Sequence, residues 1–162
     1  MIVNIDVDKS KYAQKALQLK ANGHDCAQAV FLAFDDLYNI DRKTALRLTS
    51  AFSRGIGGLK EVCGTITGIT MVVGILYGYS EPADEATKLK FFDKFYELVS
   101  QFECITGSIL CRDLLILDDH KHISVVENGI ENKYEKRSCT ELIGLAAALL
   151  ENYIKDNPPI FI

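Results

Sequence analysis

Five cysteines, Cys26, Cys63, Cys104, Cys111 and Cys139, are the side chains of this 162-residue sequence best suited to chemistry. A thiolate is a nucleophile, and it is also a soft metal ligand. No two of the five stand as CxxC, so neither a zinc ribbon nor a thioredoxin-type pair is written locally. Any shared site must therefore be assembled by the fold from separate elements. Five is odd, so at least one thiol cannot pair within the chain. The competing explanation is that each cysteine is simply a small buried hydrophobe.

Local context singles out Cys63. It falls in the first turn of an apolar helix, where unpaired N–H groups and the positive dipole end favour an anion. The loop before it carries Gly55, Gly57 and Gly58, and Gly64 follows it. These four glycines can present bare backbone N–H groups and are the candidate cofactor contacts. Arg54 and Lys60 add positive charge, while Glu61 opposes it. The Cys63 thiol is accordingly expected to be the most acidic of the five. Cys26 and Cys139 also fall near expected helix starts, and Cys111 precedes Arg112 inside a helix. The segment Gly55-Ile56-Gly57-Gly58-Leu59-Lys60 completes neither GxGxxG nor GxxxxGK[ST] and follows a helix, so it does not read as a phosphate loop.

The histidines offer less. His24 stands two residues before Cys26, so Cys/His metal ligation is conceivable there. His120 and His122 would share a side only in an extended segment and read as loop residues. Asp35-Asp36 and Asp118-Asp119 read as helix-end or surface charges.

The elements that must position these residues are helical almost throughout. Asp8 can cap a first helix to about Asn22, with Tyr12, Ala16 and Leu19 facing in. A second helix runs from about Asp25 to Tyr38, with Cys26, Val30, Phe34 and Leu37 stacked. Asp41 caps a third to about Phe52, with Ala45, Leu48 and Phe52 inward. A fourth, from about Glu61 to Tyr77, is apolar all round and reads as the centre of a bundle. Pro82 opens a fifth to about Phe102. A short sixth spans about Ser108 to Leu117, residues 118–138 are polar and weakly periodic, and a last helix covers about Thr140 to Ile154. Ile2 to Val7 alternates but has no evident partner strand. The expected fold is all-α: one domain over residues 1–162, a bundle of about six to seven helices around the helix at 61–77. Residues 1–8 and the tail 155–162 are peripheral.

Composition narrows the function classes. With 48% apolar residues the chain is not disordered. A net charge of −4 argues against a general nucleic-acid binder. The uncharged run Val62–Ser80 is interrupted by Gly64, Gly68, Gly74, Gly78 and three threonines, so it reads as a core helix and no membrane span is expected. No signal-peptide pattern opens the sequence, so a cytoplasmic location with reduced thiols is the expectation. The Ile160-Phe161-Ile162 tail and the glycine-lined helix could serve a homodimer.

The cysteine contexts also resemble a known pattern. Asp25-Cys26-Ala27-Gln28 resembles the opening "NCAQ" block of the redox-active protein family named for its pattern C_GCAxxG_C_C. Gly55-Ile56-Gly57-Gly58 is similar to its glycine segment, and Val62-Cys63-Gly64-Thr65-Ile66-Thr67-Gly68 to its CGAxxG block. Gly107-Ser108-Ile109-Leu110-Cys111-Arg112-Asp113-Leu114-Leu115 resembles the third block, and Cys139 falls where the fourth is expected. The resemblance covers about Lys9 to Ile154. It implies four family cysteines in redox work with an unnamed redox partner, and a relation to the iron–sulfur domain of split-Soret cytochromes. No CxxCH is present, so haem is not implied. Thr65 replaces the motif alanine, and Cys104 stands outside the pattern.

Three readings follow. In the first, Cys63 is the nucleophile of a dithiol and Cys111, Cys139 or Cys26 resolves it. In the second, Cys26, Cys63, Cys111 and Cys139 ligate zinc or an iron–sulfur cluster. In the third, the chain is a helical interaction domain with core cysteines. The first two require at least three of the four thiols to meet near the Gly55–Gly58 loop, with Cys63 in the middle.

Overall fold

A computed structural model describes residues 5–116 and 121–159. The expectations for Met1 to Asn4, Asp118-Asp119, His120 and the Ile160-Phe161-Ile162 tail lie outside these residues. The described chain is mostly helical. Helix α1 (Lys11–Ala21) starts at Ser10, whose side chain accepts from the Ala13 amide, not at Asp8. Ser10 also donates to Glu151, a buried carboxylate that accepts from the Tyr12 amide and pairs with Lys155. This ties the start of α1 to the last helix.

Helix α2 (Cys26–Ala33) is opened by Asp25 and Gln28 in a capping box. It stops earlier than its periodicity suggests and passes into a 3-10 turn, Asp35–Leu37. Asp35 pairs with Lys15 and Asp36 with Lys11, which makes these acids surface partners of α1. Asp41 caps α3 (Arg42–Ser50). Ala45 is buried there as expected, but Leu48 points to solvent. A single irregular turn, α4 (Ser53–Ile56), follows. The apolar helix α5 (Gly64–Tyr77) begins after Cys63, and α6 (Glu85–Thr106) is capped by Asp84. The last two are the one-turn α7 (Cys111–Leu114) and α8 (Cys139–Asp156), opened by a Ser138–Glu141 capping box.

Two expectations are corrected. The fold is not strictly all-α. Strands β1 (His122–Glu127) and β2 (Ile130–Glu135) form an antiparallel hairpin, with His122 opposite Glu135 and Glu127 opposite Ile130. Its two-residue loop, Asn128-Gly129, takes positive φ at both positions, the geometry of a hairpin turn. The stretch is so polar because most of its residues face solvent, and that polarity hides the alternation. His122 lies exposed in β1.

The centre of the bundle is also α2, not the helix near 61–77. Helix α2 packs against α1, α3, α5 and α8, and all but Gln28 of its residues are buried. Helix α5 lies to one side of it and exposes Thr70, Gly74 and Ile75. The close approach of α2 and α5 is made at Gly68, where an added Cβ would stand 2.9 Å from Val30 Cβ and 3.1 Å from the Ala27 carbonyl oxygen. Among the described residues, no helix is long and apolar enough to cross a membrane.

Candidate functional site

Cys26 is the first residue of α2, and its sulfur accepts from the Arg54 amide at 3.4 Å. On its other side lies the start of α5. A Cβ built on Gly64 would stand 2.3 Å from Cys26 Sγ, so only glycine leaves room for that sulfur. Gly64 thus serves the neighbouring helix's cysteine through its missing side chain.

Cys63 and Cys111 are brought together by a two-stranded bridge between Val62 and Leu110. The Cys63 amide donates to the Ile109 carbonyl at 2.8 Å, and the Cys111 amide to the Glu61 carbonyl at 2.7 Å. Both segments are extended, and each turns into a helix straight afterwards. The pair is reinforced outside by Arg112 and Glu61, whose side chains meet at 2.7 Å. Cys111 also leans on Gly55. A Cβ there would be 2.7 Å from Cys111 Cβ and 2.7 Å from Lys60 Cα. Cys139, the first residue of α8, is held near by a second bridge, Leu115 to Arg137, with the Arg137 amide donating to the Leu114 carbonyl at 2.9 Å.

The Gly55–Gly58 loop achieves this by an unusual backbone. Arg54, Gly55, Ile56, Gly57, Gly58 and Lys60 all have positive φ, between 58° and 91°. Left-handed geometry is costly for any residue with a Cβ, and more so for β-branched Ile56. The turn reverses the chain sharply, so that the Arg54 amide meets Cys26 and Gly55 meets Cys111. Gly57 and Gly58 touch no cysteine: a Cβ on Gly57 would come no nearer than 3.8 Å to any atom outside its neighbours, and one on Gly58 would meet nothing within 4 Å. Of the four candidate glycines, Gly55 and Gly64 therefore border thiols, and Gly57 and Gly58 serve the turn.

The electrostatics correct two expectations about Cys63. It is the N-cap of α5, not a first-turn residue, and burial pushes its thiol up to about 11. The Thr65 hydroxyl, 3.1 Å from the sulfur, and the Thr65 amide pull the other way without overcoming burial. The nearby Cys26 and Cys111 push it up further. Cys63 is thus a protonated, enclosed thiol and not an activated one. It is not the middle of the group either. Cys26 acts on Cys63, Cys111 and Cys139 alike, which puts it at the centre. Burial raises Cys111 and Cys139 too, with Lys60 opposing at both.

Cys26, Cys63 and Cys111 are buried, Cys139 is half-buried and Cys104 is exposed. Cys104 sits on α6 in a recess with Tyr134 and Val125 of the hairpin, apart from the others. His24 does not join the thiols. Its Nδ1 faces the Leu19 carbonyl oxygen at 2.9 Å and its Nε2 faces Arg42 at 3.2 Å. Among the described residues, no three Cys, His, Asp or Glu side chains are grouped so that they could hold a metal ion. Thr65, the departure from the motif that adds a hydroxyl beside the cysteine, is the partner of the Cys63 sulfur. Sequence reasoning missed the Arg54 amide as a partner of Cys26, which depends on a left-handed turn.

The family model described as "Putative redox-active protein (C_GCAxxG_C_C)" matches residues 24–153. Neither a curated protein nor a solved structure shows a significant match.

Proposed function

The chain belongs to the C_GCAxxG_C_C family, and from that premise we propose that it is a thiol redox protein. Cys26, Cys63, Cys111 and Cys139 store two electrons as thiols and release them by forming a disulfide. The observation that carries this reading is the pair of tight glycine contacts. Gly64 admits the Cys26 sulfur at the start of α5, and Gly55 admits Cys111 beside the left-handed turn. Burying thiols needs no such fit, whereas drawing Cys26 of α2 and Cys111 of α7 in beside the Cys63 segment does.

The roles divide by exposure. Cys139 is the half-buried thiol and meets the partner, and Cys26 lies centrally and resolves it. Cys63 and Cys111 complete the group. Thr65 donates to Cys63 when that sulfur carries charge.

The test is to reduce the protein without oxygen, oxidise it with a mild disulfide, and map the products by mass spectrometry. One disulfide within the four cysteines, with Cys104 still free, is the expected result. Four thiols that persist under oxidant overturn the reading. Metal and acid-labile sulfide are measured on the same anaerobic preparation. Stoichiometric iron and sulfide would replace it with a cluster protein.

A further inference from the structure

The four thiols sit under a rim of positive charge, although the chain as a whole carries −4. Lys20, in the last turn of α1, Arg54, in the left-handed turn, and Lys60, just after it, all act on Cys139, and Lys60 acts on Cys111 as well. The backbone geometry agrees with this placement: α1 runs antiparallel to α8, with Ser10 bonded to Glu151 and Leu17 against Gly144, which brings the Lys20 end of α1 to the Cys139 end of α8. The Lys60 Cα lies against Gly55, as Cys111 does, and the Lys60 carbonyl accepts from the Arg112 amide at 3.1 Å.

The nearby acids are already engaged. Glu141, two residues from Cys139, accepts from the Ser138 amide and hydroxyl. Asp25 faces Arg54 at 3.7 Å, and Glu61 pairs with Arg112 at 2.7 Å. Lys20 and Lys60 form no ion pair among the described residues. Two uncompensated cations therefore flank the one half-buried thiol of the group.

Resting on the thiol reading above, we propose that the oxidant of this site is a small disulfide bearing carboxylates, held by Lys20 and Lys60 over Cys139. A carboxylate-bearing disulfide repels an attacking thiolate, and two flanking cations offset that repulsion. The Cys139 thiol loses its proton to water and its sulfur attacks one sulfur of the disulfide. A Cys139–substrate S–S bond forms, the substrate's own S–S bond breaks, and the leaving thiolate takes up a proton. The Cys26 sulfur then attacks Cys139, its proton goes to the second departing thiolate, and the protein disulfide closes. The protein loses two electrons and the substrate gains them as two thiols. Three buried partners and a half-buried first thiol suit a small molecule better than a broad protein surface.

The experiment measures thiol loss from the reduced, full-length protein with three probes: dithiodiglycolate (anionic), 2-hydroxyethyl disulfide (neutral) and cystamine (cationic). Each rate is divided by that of the same probe with 2-mercaptoethanol, which removes intrinsic reactivity. At low salt the normalised rates should fall from anionic to neutral to cationic, with about tenfold between the extremes. The order should collapse at high salt. Lys20→Gln with Lys60→Gln should abolish it, while Lys133→Gln on the exposed hairpin should keep it. Oxidation at equal normalised rates, or fastest with cystamine, overturns the anionic substrate but leaves the thiol reading standing. No protein disulfide with any probe overturns the thiol reading itself.

Discussion

Among the described residues, two loops hold residues other than glycine at positive φ, and they do so for different reasons. The hairpin turn places Asn128 at 50° and Gly129 at 78°. Asparagine tolerates that region, and the right-handed twist of the two strands asks for it. The turn is explained by its own residues. The loop beside the cysteines instead places Arg54, Ile56 and Lys60 at 59°, 60° and 63°. Nothing in those side chains favours it. The conformation is imposed by what the turn must meet on both sides: Cys26 through the Arg54 amide and Cys111 through Gly55. Strain of this kind persists only where surrounding structure over-determines it. The comparison teaches that the cysteine end is shaped by long-range contacts and the hairpin end by local chemistry.

Glycine substitution should separate the two most sharply. Gly64→Ala puts a methyl into the Cys26 sulfur, at 2.3 Å, and should destabilise by about 3 kcal/mol or more. Gly129→Ala meets nothing within 4 Å and should cost only the left-handed backbone, about 1 kcal/mol. Urea unfolding of the two variants measures both. Equal losses would mean that the Gly64 contact is relieved by a small shift and constrains nothing.

A second contrast uses pH. The Cys63 thiol is raised by burial from an ordinary 9.0 to about 11. Its contribution to stability is therefore complete below pH 9 and is lost as pH rises towards 11. Two units correspond to about 2–3 kcal/mol. Stability should fall over that window, and Cys63→Ala should remove a large part of the slope. Cys104→Ala, on the exposed face of α6, should leave the slope intact. The same logic orders alkylation of the native protein at pH 8, with Cys104 modified first and Cys63 last. Rapid labelling of Cys63 at that pH would contradict its enclosure.

The smallest effects concern the backbone itself. Ile56→Gly releases a β-branched residue from left-handed geometry and should stabilise by about 1 kcal/mol. Asn128→Gly should change stability by less than about 0.5 kcal/mol, because asparagine is already at ease there. If Ile56→Gly is instead neutral while Asn128→Gly stabilises, the assignment of strain to the cysteine end is reversed.

Local signals were readable and distant ones were not. Asp25 and Asp41 stand at the helix starts their types suggest, and Tyr12, Ala16, Leu19, Val30 and Phe34 face the core as their spacing requires. The cysteine contexts carried the family pattern before any geometry was known. Ser10 replaced Asp8 as a cap because its hydroxyl also reaches Glu151, a partner 141 residues away. The apolar character of α5 points to it as the centre in place of α2, but hydropathy does not say how many neighbours a helix has. The hairpin hid behind solvent-facing polar residues, although Asn128-Gly129 was a legible turn. The identity of Cys26 as the central thiol depended on the bridges Val62–Leu110 and Leu115–Arg137, which no local pattern announces.

The contact between Gly64 and the Cys26 sulfur also bears on how the protein ages. A disulfide within the protein adds no atom and only joins Cys26 to a neighbouring sulfur. A sulfinic acid adds two oxygens, each needing volume and a hydrogen-bond partner. With Cys26 only 5% exposed and wedged against the start of α5, those oxygens can be housed only by prising the two helices apart. Irreversible hyperoxidation is thereby steered away from Cys26 and towards Cys104, which lies in the open and outside the group. Crowding by a missing side chain thus acts as a safeguard, sparing the central thiol while an expendable one absorbs the damage.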